Sequence, residues 1–206
     1  MATQISNPEI EYLLRQSAAL HRHLCPRQVL GVRLGMHAAQ QFPGALPQSD
    51  KRILAMVEMD GCFSDGVSVA TGCSMGHRTM RLADDGKIAA TFIDTRAGQA
   101  LRIFALPDLR ARAAAAAAGA RTRWHAYLEA YQHFPAEEMF GQQEVQLNFD
   151  IEAMVGRHGP RAVCACCGEE ILNQRELKRD GRTLCRSCAG ESYWSPKGQR
   201  PASAQI

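Results

Sequence analysis

The chain has 206 residues, a formal net charge of +3 and 46% hydrophobic residues, of which 31 alanines supply little bulk. This length suits one medium domain, or one domain with a small appendage. No stretch approaches the ~20 apolar residues of a membrane span, and residues 1–15 lack a charged-then-apolar secretory pattern, so the sequence predicts a cytoplasmic protein without a membrane anchor.

In chain order, Ser6-Asn7-Pro8-Glu9 has the residues of a helix start, with Asn7 as cap and Ser6 and Glu9 spaced as a capping box. Ile10, Leu13, Leu14 and Leu20 continue a helical stripe to His21. A second helix is predicted over about 28–41, where Gly31 and Gly35 lie four apart and leave a groove for another backbone. Ile53 to Met59 reads as a strand that delivers Asp60-Gly61-Cys62, and Ser64 to Thr71 as a short helix that delivers Gly72-Cys73. Ile88 to Asp94 and Leu101 to Leu106 read as a hairpin joined through Thr95-Arg96-Ala97-Gly98. Helical spacing follows from Pro107-Asp108 through an alanine run to Ala118. It resumes from Trp124 to Tyr131, where Trp124, Tyr127, Leu128 and Tyr131 read as a packing stripe. Glu144 to Phe149 alternates as a strand, 156–160 reads as a joint, and 197–206 as a frayed tail.

Eight cysteines without a secretory leader point to a reducing compartment rather than to disulfides. Cys164 and Cys167 form one C-x-x-C knuckle and Cys185 and Cys188 another, with seventeen residues between. Two such knuckles complete a tetrahedron of thiolates about one zinc ion and leave no open position, so the predicted role is structural. Asp180-Gly181 suits a hairpin turn leading into the second knuckle, and Cys166 is left over as a buried spectator. Residues 157–206 carry nine Lys/Arg against five Asp/Glu. A tetrathiolate zinc site subtracts about two charges from that excess, so charge does not call for nucleic acid as a partner.

The first half holds a less common grouping. In His21-Arg22-His23-Leu24-Cys25-Pro26, alternate residues of an extended segment place His21, His23 and Cys25 on one side. Two imidazoles and a thiolate suit Zn, Cu, Ni or Fe(II). Cys62 and Cys73, each after a glycine, are further candidate ligands, although Cys73 taken alone reads first as a small core residue. Two chemistries stay open. One is a bound transition metal, zinc the leading candidate. The other is catalysis, with Cys25 as nucleophile and Asp60 or Asp65 as base.

Together these segments resemble the FmdE family, which takes its name from formylmethanofuran dehydrogenase. The carrying motifs are His21-x-His23-x-Cys25-Pro26, Gly31-Val32-Arg33-Leu34-Gly35, Asp60-Gly61-Cys62, Thr71-Gly72-Cys73, Gly86-Lys87 and Thr95-Arg96-Ala97-Gly98. Arg22 and Arg27 stand where the family commonly has glycine, and Gly76-His77-Arg78 replaces its Gly-Lys-Gly, which leaves His77 as an added ligand or a surface residue. The resemblance implies an α+β core over 1–155 with a C-terminal zinc ribbon over 156–206. It further implies a homodimer and a metal-binding cleft near the His/Cys residues, and the mixed nitrogen and sulfur donors point to metal handling for a molybdenum, tungsten or other redox enzyme. It does not imply dehydrogenase activity of this chain.

Overall fold

A computed structural model describes residues 8–151 and 161–197. The chain divides into two compact units, Met1–Asn148 and Phe149–Ile206.

Among the described residues, the first unit combines six helices with one mixed sheet. Helix α1 spans Pro8–His21, α2 Pro26–Gln41, α3 Cys62–Thr71, α4 Leu109–Ala116, α5 Arg123–His133 and α6 Ala136–Met139. Strands β1 (Ile53–Val57), β2 (Met80–Leu82), β3 (Ala89–Asp94), β4 (Ala100–Ala105) and β5 (Phe140–Glu144) lie in the order β2-β1-β3-β4-β5. Only β1 and β2 run parallel, because α3 crosses over between them; the other neighbours are antiparallel. Register places Ala55 opposite Phe92 and Phe92 opposite Leu101, so these residues share the face that carries the main core. The other face holds Leu54, Ile93 and Thr91, with a two-pronged ion pair from Arg102 to Glu58 at 2.6 and 2.7 Å.

Helix α2 is the centre of this unit. Val29, Leu30, Val32 and Leu34 are buried and so are the intervening Gly31, Arg33 and Gly35, the pattern of a helix enclosed on nearly every side. Two glycines explain how closely α3 approaches it. A methyl on Gly31 would strike the Phe63 carbonyl oxygen, and one on Gly66 would lie 2.8 Å from the Val32 nitrogen. The predicted groove along Gly31 and Gly35 is therefore filled by α3. The buried Arg33 guanidinium donates to the carbonyls of Tyr131 (3.0 Å) and Gln132 (2.9 Å), satisfying groups left open at the end of α5.

In the second unit, β6 (Ala162–Val163) pairs with β7 (Glu170–Ile171), and β8 (Leu177–Arg179) pairs with β9 (Arg182–Leu184). The Asp180-Gly181 turn joins β8 to β9 with both residues at positive φ, 50° and 73°. That is the two-residue hairpin predicted from the dipeptide. A short helical turn, Ser187–Glu191, follows.

The expected strand over 144–149 is corrected to β5, which ends at Glu144. Its alternating apolar positions misled, because an edge strand is set by its partner, here Leu101 against Glu144. Strand β2 and helix α6 were missed, being too short to show a period. The capping residues Ser6 and Asn7, the joint at 156–160 and the tail from 198 onward lie outside the described residues. Among the described residues no helix is long and apolar enough to cross a membrane.

Candidate metal centre and ligand cleft

The four ribbon cysteines converge. The Sγ atoms of Cys164, Cys167, Cys185 and Cys188 all lie within 4.8 Å of one another, and Cys167 and Cys185 are 3.9 Å apart. Zinc–sulfur bonds of ~2.3 Å in a tetrahedron set sulfurs ~3.8 Å apart, so this set fits a four-coordinate zinc. Backbone amides support it: Cys185 N–H donates to Cys164 Sγ at 3.3 Å and Cys188 N–H to Cys185 Sγ at 3.4 Å. Backbone N–H donation from the Cys167 and Cys185 segments lowers the Cys164 thiol to about 6. Cys166 is exposed, not buried as its spectator role implied.

The core site is assembled at helix ends. His21 is the last residue of α1. The chain then turns at Arg22, whose φ is +62°, so 21–25 is not the extended segment the alternation implied. Hydrogen bonding within the turn, His23 Nδ1 to the His21 carbonyl at 3.1 Å, replaces that alternation. Cys25 caps α2 in extended conformation, with its amide donating to Gln28 Oε1 at 2.8 Å. Cys62 opens α3 immediately after Gly61, whose φ of +64° gives the tight exit from β1.

His21 links these pieces. Its Nε2 lies 3.0 Å from Cys62 Sγ and its Nδ1 lies 3.0 Å from Asp65 Oδ2, one turn further along α3. A carboxylate accepts only, so the Nδ1–H of the neutral tautomer donates to Asp65 and the Nε2 lone pair faces the thiol. His23 repeats the pattern, since its Nδ1 donates to a carbonyl and its Nε2 carries the lone pair. Burial pushes the Cys62 thiol up from its ordinary range, nearby Cys25 adds to the rise, and Arg27 opposes it.

Cys73 does not belong to this group, a correction to its place among the candidate ligands. It follows the far end of α3, about 15 Å from Cys62 at 1.5 Å per residue. Its thiol is fully buried, accepting from Gln48 Nε2 at 3.0 Å and lying against the Ile53 carbonyl, and burial raises its pKa. His77 is exposed in the turn before β2. Asp60 is exposed in the loop between β1 and α3 and does not line the cleft. Among the described residues only the ribbon set has three or more donor atoms all within 4.8 Å.

Cys25, Cys62 and His23 form one end of a cleft of about 920 Å³, which is within the size range of sites for small ligands and cofactors. Its apolar lining includes Leu30, Met59 and Leu109, and part of its wall comes from α4 and α5. There Trp124, Tyr127 and Tyr131, spaced i, i+3, i+7, share one helix face. The predicted packing stripe holds for Tyr131, Tyr127 and Leu128, which sit in or against the core, while Trp124, Tyr127 and Tyr131 also line the cleft. This wall was not legible because Arg110, on α4, and Ile88 reach the same cleft from distant parts of the chain. Gln28 was also missed, although a glutamine three residues after a helix cap is a sequence signal for the bond it makes.

Comparison with known proteins agrees with this architecture. The family described as "FmdE, Molybdenum formylmethanofuran dehydrogenase operon" matches residues 20–141, and the "Prokaryotic dksA/traR C4-type zinc finger" matches residues 159–193. The chain belongs to the FmdE family. A curated relative, named "Probable S-adenosyl-L-methionine-binding protein" in Archaeoglobus fulgidus, is 34% identical over 104 residues, which is 48% of this chain. The chain spans only 28% of that relative's length. A solved protein from Syntrophus aciditrophicus, described as FmdE-like and named after a tungsten formylmethanofuran dehydrogenase, shares the fold. Its TM-score is 0.59 at 20% identity, covering 90% of this chain and 95% of that one.

Proposed function

We propose that the core of this FmdE-family protein binds a transition metal, zinc foremost, through His21, His23, Cys25 and Cys62. In this reading the protein is a homodimer that handles the metal for a molybdenum, tungsten or other redox enzyme, while the ribbon zinc is structural. The observation that carries the reading is His21: Asp65 holds Nδ1 and Nε2 faces Cys62 at 3.0 Å. Carboxylate–histidine pairs of this kind orient the imidazole and raise its basicity toward a metal. The mixed nitrogen and sulfur donors favour zinc or a later first-row ion over magnesium or calcium.

Elemental analysis of reduced protein tests this. Wild type is expected to hold more than one metal ion per chain, and Cys25→Ser to hold only the ribbon zinc. Asp65→Asn is expected to weaken the core metal by ~10–100-fold. Unchanged metal content in Cys25→Ser overturns the reading. Light scattering checks the dimer, and co-purification checks the partner enzyme.

The open cleft beside the two thiols favours a second reading, an enzyme acting on a small molecule with Cys25 at the reacting centre. The name of the Archaeoglobus relative supports a small-ligand site in proteins of this kind. Alkylation of Cys25 blocked by a bound ligand would select this reading over metal handling.

A further inference from the structure

The two walls of the cleft differ in chemistry. Cysteine and histidine gather with Arg27; Arg110, Arg123 and three aromatic rings come from α4 and α5. We infer that the cleft binds a flat ring carrying an anionic group, phosphate or carboxylate, with the ring on Trp124 and the anion between Arg110 and Arg123. The inference deepens the small-ligand reading of the cleft and stands apart from its metal, since it uses none of the proposed ligands.

Charge is the first support. Arg27, Arg110 and Arg123 line the cleft, and among the described residues no Asp or Glu does. Elsewhere in the core, Arg52, Arg96, Arg102 and Arg112 each meet a carboxylate. Among the described residues, none of the three cleft arginines appears in an ion pair. Three unneutralised guanidinium groups around an apolar lining attract anions, and the planar fork of arginine matches both phosphate and carboxylate oxygens.

Ring geometry is the second support. Tyr127 and Tyr131 stack with centroids 5.9 Å apart and planes 10° from parallel. Arg110 lies over the Tyr127 ring at 5.2 Å, which fixes the guanidinium beside an aromatic face. Trp124 is 44% exposed, a large indole left open at the cleft wall rather than buried with its helix neighbours. A flat ligand covers this indole, and a sugar or aliphatic acid covers it less well.

The test is calorimetric titration of the zinc-loaded full-length protein with four probes. Adenosine 5′-monophosphate carries ring and phosphate, and naphthalene-2-carboxylate carries ring and carboxylate. Adenosine has the ring alone, and ribose 5-phosphate the anion alone. Binding by one or both of the first two, with adenosine and ribose 5-phosphate each at least ~10-fold weaker, supports the inference. Which of the two binds tells phosphate from carboxylate. The Arg110→Gln/Arg123→Gln double variant, whose side chains are exposed, is expected to lose at least ~10-fold in affinity with its thermal midpoint unchanged. Trp124→Ala is expected to lose the advantage over ribose 5-phosphate. No binding by either combined probe, or equal binding by a single-feature probe, overturns the inference, as does full affinity in the double variant. Two proteins separate the two readings: Cys25→Ser that loses the core metal but keeps ligand binding leaves this inference standing, and wild type that holds the core metal but binds no ligand removes this inference alone.

Discussion

Gln28 and Cys25 are joined by a hydrogen bond of 2.8 Å, from the cysteine amide to the glutamine side-chain oxygen. The same side chain donates to the Ser17 carbonyl at 2.9 Å and hydroxyl at 3.1 Å, so one buried amide ties the end of α1 to the start of α2. His21 and Cys25 sit on the two elements it clamps.

Gln28→Ala leaves the Cys25 amide and the Ser17 groups without this partner in a buried setting. Each buried polar group left unsatisfied costs about 1–3 kcal/mol. The expected outcome is a lower urea midpoint of the core transition and a reduced core metal content, with the ribbon zinc unchanged. Wild-type values for both would show that Gln28 neither stabilises the core nor positions Cys25.

The α2–α3 crossing makes a sharper steric prediction. At Gly66 an added methyl meets the Gln28 carbonyl oxygen and the Val32 nitrogen, both backbone atoms that cannot swing aside. Gly66→Ala is expected to destabilise by about 1–3 kcal/mol or more, as overpacked cores do. Gly119→Ala is the control. It has open space around the new methyl, and its expected effect is neutral, or a gain of about 0.4–1 kcal/mol from a stiffer unfolded chain. Equal midpoints for the two variants would contradict the close packing.

The contrast between these sites shows which parts of the fold the sequence made legible. Gly31 and Gly35 announced a close approach, and the partner backbone of α3 supplies it. The Asp180-Gly181 turn and the two C-x-x-C knuckles were readable because their constraints are local. The core centre was only partly readable. His21 and Cys62 meet across 41 residues, and their meeting depends on how α1 and α3 pack, which no spacing records. Cys73 shows the opposite error: it shares the Gly-Cys pattern of Cys62, yet helix α3 carries it to the far end and into the hydrophobic core. The chemistry of a residue was visible; its depth and direction came from tertiary packing.

Asp94 ties acid sensitivity to the β3–β4 hairpin. Its side chain is 2% exposed, and hydrogen bonding from Arg52, helped by the backbone amides of Ala97 and Arg96, lowers its pKa to about 2 against the opposing effect of burial. The unfolded chain titrates near ~3.9, so the folded state binds the proton less tightly. The resulting stabilisation, about 2 kcal/mol, is present above ~pH 5 and is lost as pH falls toward 2. Asp94→Asn is expected to lower stability at pH 6 and to flatten its decline between pH 5 and 2. Urea titrations followed by Trp124 fluorescence in a Trp194→Phe background read the core alone. Parallel pH profiles for wild type and Asp94→Asn would rule out this contribution.

The ribbon has too little buried apolar surface to hold itself. Its cluster of buried residues is Cys164, Ile171, Leu184 and Ala189, with Ala162 and Leu177 packed against it. Domains this small fold on a metal or on disulfides, and binding of zinc then supplies the folding free energy. Removal of zinc by a strong chelator is expected to abolish amide protection at Cys185 and Cys188, whose N–H groups point at sulfur, and at Leu177 and Leu184, a hydrogen-bonded pair of the β8–β9 hairpin. Protection in β3, whose residues are all buried in the other unit, is expected to persist. Cys185→Ser should reproduce the ribbon loss without chelator, because three thiolates cannot complete the tetrahedron. Hydrogen exchange read residue by residue makes the comparison. A protected β8–β9 hairpin in metal-free protein would mean that the ribbon is held by packing alone.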